Sequence, residues 1–66
     1  MKFGMIPPSQ WTEKHKARAK ESFRRDGLVK CEEKLWRAIV AKKGSASKDD
    51  CDVIIALLRE VIEELR

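Results

Sequence analysis

The most regular pattern in the chain lies at its C-terminal end. Cys51, Ile54, Leu58, Val61 and Leu65 recur at alternating spacings of three and four residues. Ile55 and Ile62 widen the same side into a stripe of roughly 120°. This spacing predicts an amphipathic helix over about 48–66 that packs through one face. Val53 and Leu57 fall off the stripe and require cover of their own. Ser47, followed by Lys48, Asp49 and Asp50, suits a helix start, because a hydroxyl cap and early carboxylates complement the amide end of a helix.

A second helix is predicted over 28–43, and its apolar residues form two seams. Leu28, Cys31, Leu35, Ala38 and Ile39 make one, and Val29, Trp36 and Val40 make the other. About half of the circumference is then apolar, which calls for neighbours on two sides. Asp26 is placed to accept the free amides at its start, and Lys42, Lys43 and Gly44 form a basic, glycine-ended terminus. Residues 44–47 are the one loop-like cluster.

The first helix is predicted over 9–26, with Ser9 as its cap and Gly27 as the stop or kink. Its apolar strip is narrow, holding only Trp11, His15, Ala19 and Phe23. Residues 1–8 read as an extended arm, since Pro7 and Pro8 offer no backbone donor and push the residues before them out of the helical region. No segment alternates convincingly with the period of a strand, so no sheet is expected.

These elements predict an all-α fold, a small bundle of about three helices in a single domain. A chain of 66 residues buries only about 60% of its unfolded surface, so additional cover would stabilise it. Two hairpins of helices 2 and 3 joined into a homodimeric four-helix core would supply that cover. The self-association residues would then be Leu35, Trp36, Ile39, Ile54, Leu58, Val61, Ile62 and Leu65. A compact three-helix monomer is the alternative.

Charge adds a direction to this picture. Residues 1–30 hold eight Lys and Arg against three Asp and Glu, whereas residues 31–66 hold seven against eight. On the wheel of the first helix, Lys14, Arg18 and Arg25 lie on one flank of the apolar strip and Lys16, Lys20 and Arg24 on the other. Such rows suit contact with phosphates or with an acidic protein surface, although each cation taken singly is more often just a solvated side chain. Helices 2 and 3 do not read as a DNA-reading helix-turn-helix, because Asp49, Asp50 and Asp52 at the start of helix 3 would meet phosphates.

The chemistry-bearing residues are few. His15 is the sole histidine and lies among cations without an orienting carboxylate, so a structural or surface role is expected. Glu32 with Glu33, and Glu63 with Glu64, are sequence neighbours that point to different helix faces. Cys31 and Cys51 form no CxxC pair, which speaks against zinc, and their stripe positions favour buried thiols over a disulfide. The three glycines are too scattered for a phosphate loop. No catalysis, cofactor, metal or small-molecule substrate is expected. With no apolar run near the 18 or so residues of a membrane span, and no apolar core of a signal peptide, a cytoplasmic protein is expected.

Two functional classes follow. In the first, a small regulatory or accessory protein contacts nucleic acid through Lys14, Lys16, Arg18, Lys20, Arg24 and Arg25 and self-associates through its C-terminal helices. In the second, an adaptor or inhibitor of the kind encoded by phages and mobile elements docks on a larger protein through Phe3, Trp11 and the arginines, with Trp11 read either as an exposed anchor or as a staple for the arm.

Overall fold

The computed structural model describes residues 6–44 and 47–66. Pro8–Gln10 form a single 3-10 turn, and three α-helices follow: α1 (Glu13–Asp26), α2 (Leu28–Gly44) and α3 (Lys48–Leu65). The all-α class holds, with no strand among the described residues. Phe3, most of the arm, and residues 45–46 of the loop-like cluster lie outside the described residues.

α1 starts later than the apolar strip suggests. Pro7 and Pro8 launch a turn of their own, and Trp11 is extended at φ −66° and ψ 136°, which separates that turn from the helix. Thr12 is the cap in place of Ser9, and it forms a reciprocal capping box with His15. The Thr12 hydroxyl accepts from the His15 amide at 3.5 Å, and His15 Nδ1 accepts from the Thr12 amide at 3.2 Å. A ring nitrogen at the third residue of the helix can thus do the work usually given to Glu or Gln.

Gly27 ends α1 outright and does not merely bend it. Its φ of +93° and ψ of 170° lie in a region that is essentially reserved for glycine. Its amide donates to the Phe23 carbonyl at 3.3 Å, and its carbonyl accepts from the Cys31 amide at 3.0 Å, so one residue closes α1 and opens α2. Asp26 does not cap α2 with its side chain. Its carboxylate is taken by Lys34, whose ammonium also lies 5.3 Å from the centre of the Phe23 ring.

Cross-helix ion pairs show how the helices run. Lys20 meets Glu60 and Arg24 meets Glu64, each 40 residues apart, so α1 and α3 are parallel. Lys42 meets Asp52 and Arg66 meets Glu32, so α2 is antiparallel to α3. α3 is the shared partner. It turns Leu58, Val61 and Ile62 toward α2, and Phe23, Leu28, Leu35, Ile54 and Leu65 close around Cys31 and these three. Leu57, off the main stripe, finds its own cover, being only 4% exposed beside Val53, Lys16 and Lys20.

Six of the eight residues assigned to self-association, Leu35, Ile54, Leu58, Val61, Ile62 and Leu65, are packed within one chain, which leaves Trp36 and Ile39 outside that cluster. Leu58, Val61 and Ile62 are 0%, 0% and 4% exposed within one chain, so they have no surface left for a second subunit. Leu35, Ile54 and Leu65 pack against the same cluster. The four-helix core was expected because α1 looked too narrow. Phe23 packs against the buried cluster, and Lys20 and Arg24 tie α1 to α3 through Glu60 and Glu64.

Candidate functional site

The six cations of α1 separate into two groups once α3 is in place. Lys20 Nζ lies 3.1 Å from Glu60 Oε1. Arg24 grips Glu64 with two bonds, Nε to Oε1 at 2.7 Å and an Nη to Oε2 at 3.2 Å, and reaches Glu21 at 3.4 Å. Lys16 stands 3.9 Å from Glu13. Lys20 and Arg24 are therefore turned onto the acidic flank of α3, while Lys16 pairs within α1. Hydrogen bonding from Arg24 holds the Glu64 carboxyl below the usual carboxylate range, and the same bond raises the Arg24 guanidinium.

Lys14, Arg18 and Arg25 form the other group. All three are exposed, and none has an ion-pair partner among the described residues. They share the outer side of α1, with Lys14 and Arg25 about 16 Å apart along the axis, close to the rise of five base pairs of duplex DNA. On α2, Lys30 and Arg37 are likewise exposed and unpaired among the described residues, one turn before and one turn after Lys34. Because Lys34 reaches Asp26 of α1, these two cations lie on the flank of α2 nearest α1.

The aromatic residues separate in the same way. Trp11 is half-buried, and its indole Nε1 donates to the Ile6 carbonyl at 3.1 Å, which ties the arm to the start of α1. The arm is tied to α3 as well, since the Ser9 amide donates to Asp50 Oδ1 at 2.9 Å. Hydrogen bonding from the Ser9 side chain and then its amide holds the Asp50 carboxyl below its ordinary value. Trp36, in contrast, is 68% exposed, in one row with Val29 and Val40. It borders a shallow groove of about 550 Å³ between α2 and α3, floored by Leu35, Ile39 and Ile62.

Cys31 is fully buried, its thiol donating to the Phe23 carbonyl at 3.1 Å, and burial pushes that thiol up and away from the reactive thiolate. Cys51 is also a free thiol. Among the described residues no three His, Cys, Asp or Glu side chains gather as metal ligands, and no helix is long and apolar enough to cross a membrane. Comparison with family models, with characterised proteins and with solved structures finds no match to this chain.

Three features were missed in the sequence. The Thr12 and His15 cap was hidden because histidine is an unusual partner in that box. The pairing of Lys20 and Arg24 with Glu60 and Glu64 had a visible signal, because both pairs keep a spacing of four. The exposure of Trp36 had none, since an apolar position does not say which neighbour covers it.

Proposed function

We propose that this protein is a non-catalytic binding module that contacts a polyanion, nucleic acid above all, through the outer face of α1. The observation that carries this reading is the difference in pairing. Lys14, Arg18 and Arg25 are exposed without carboxylate partners among the described residues, while Lys16, Lys20 and Arg24 of the same helix have them. Lys30 and Arg37 extend the unpaired group onto α2. Cations without internal partners can each displace condensed counterions from a phosphate backbone without first breaking a bond inside the protein. Free thiols at positions 31 and 51 fit a reducing, cytoplasmic setting.

The test is a fluorescence-anisotropy titration of DNA and RNA oligonucleotides at low and at physiological salt. Binding is expected to weaken steeply with salt. The triple variant Lys14→Glu, Arg18→Glu, Arg25→Glu should bind at least tenfold more weakly and lower the log–log salt slope by roughly two to three. Binding that survives the triple reversal, or no binding by the parent chain even at low salt, overturns the reading.

A further inference from the structure

The outer face of α2 carries an apolar row that the fold does not use. Of the large hydrophobic side chains exposed among the described residues, Val29 at 68%, Trp36 at 68% and Val40 at 50% all lie on it. They recur at intervals of seven and four, so they share one side of the helix. Two charged residues stand in the same row. Glu33 lies one turn before Trp36, and Lys43 lies one turn after Val40.

These two charges differ from their immediate neighbours. Glu32 is paired with Arg66, Lys34 with Asp26, and Lys42 with Asp52. Glu33 and Lys43 are exposed and have no ion-pair partner among the described residues. They sit about 15 Å apart along the helix, one of each sign, on either side of the Trp36 and Val40 pair.

We infer that this row is a two-fold interface with a second copy of the chain, formed by two α2 helices packed antiparallel. An axis at the level of position 38 sets Trp36 of one protomer against Val40 of its partner, and Glu33 against Lys43. Because the contact is isologous, each of these pairings occurs twice. The row therefore complements itself in both shape and charge. A register shifted by one turn would instead set Lys43 against Val29 and leave Glu33 facing apolar surface. A polyanion would meet Glu33 in the middle of the row, which makes it a poor occupant of this face. The row lies on α2 and Lys14, Arg18 and Arg25 lie on α1, so reversing those three cations tests the polyanion surface without altering this interface.

Sedimentation equilibrium from about 10 µM to 1 mM tests the interface, with circular dichroism confirming that each variant keeps its helices. The expected mass rises with concentration from 7.6 kDa toward twice that value, in line with a small interface. Trp36→Ala should weaken association at least tenfold. Glu33→Lys and Lys43→Glu should each do the same by placing like charges together. The double swap Glu33→Lys with Lys43→Glu should restore association to within a few-fold of the parent. A mass of 7.6 kDa at every concentration overturns the inference, as does a double swap no better than either single variant.

Discussion

The two flanks of α1 are made of the same residue types on the same helix, yet they differ in what they can do. The inner row of Lys16, Lys20 and Arg24 is half-buried, with Lys20 and Arg24 paired to Glu60 and Glu64 of α3 and Lys16 to Glu13 of its own helix. The outer row of Lys14, Arg18 and Arg25 faces solvent. Lys20 and Arg24 of the inner row pair with Glu60 and Glu64 and so orient α1 on α3, and Lys16 and Lys20 border the same groove as Val53 and Leu57. The outer row makes no such contact and remains available to a ligand. A basic helix is thus a mixed object, and only the acidic pattern of the helix beside it separates structural cations from available ones.

The comparison breaks most completely if α3 loses its grip on the core. Leu58 is fully buried at the centre of the cluster that joins all three helices. Leu58→Ala is expected to cost about 2–5 kcal/mol, against the roughly 3–5 kcal/mol that a core of this size supplies. Thermal unfolding followed by circular dichroism should lose its cooperative transition. The inner and outer rows would then become equivalent, which charge reversal in that background would reveal through equal effects on oligonucleotide binding.

A smaller effect is expected at the joint between α1 and α2. A side chain at position 27 would meet no atom within 4 Å, so Gly27→Ala introduces no clash with its surroundings. The cost comes from the backbone alone, and placing alanine at φ +93° should destabilise by about 1–3 kcal/mol. Urea unfolding would measure it. A loss well below 1 kcal/mol would mean that α1 and α2 can fuse or re-angle, carrying the inner row away from Glu60 and Glu64.

The helical architecture was legible because its signals are local. The stripe from Cys51 to Leu65 and the inner seam of α2 are carried by spacing alone, and Gly27 marks a boundary by its own conformational freedom. The site was legible only in part, because its decisive features are relations between distant residues. Whether Lys20 is available depends on Glu60, 40 positions away. Whether Leu58 packs within the chain or against a copy depends on how Phe23, Lys20 and Arg24 hold α1 against α3. Trp36 shows the same limit from the other side, because its apolar seam looks equivalent to that of Leu35 until α3 chooses between them.

Acid should sharpen the contrast between the two rows by a modest amount. Glu64 is held below the ordinary carboxylate range by hydrogen bonding from Arg24, and Asp50 by hydrogen bonding from Ser9. For a carboxyl whose folded value is depressed, the added stability is present above its unfolded value and disappears as pH falls through the folded one. The thermal midpoint should therefore be flat from neutral pH down to the ordinary carboxylate range and should decline below it, as α1 and the arm loosen from α3. Glu64 is exposed and Asp50 only half-buried, so solvent screening keeps the decline small. Glu64→Gln should make the acid limb shallower while leaving oligonucleotide binding at neutral pH unchanged, since Lys14, Arg18 and Arg25 do not touch it. If Glu64→Gln instead strengthens binding severalfold, Arg24 released from its partner has joined the outer row, and the division between the rows is a matter of competition between Glu64 and the ligand.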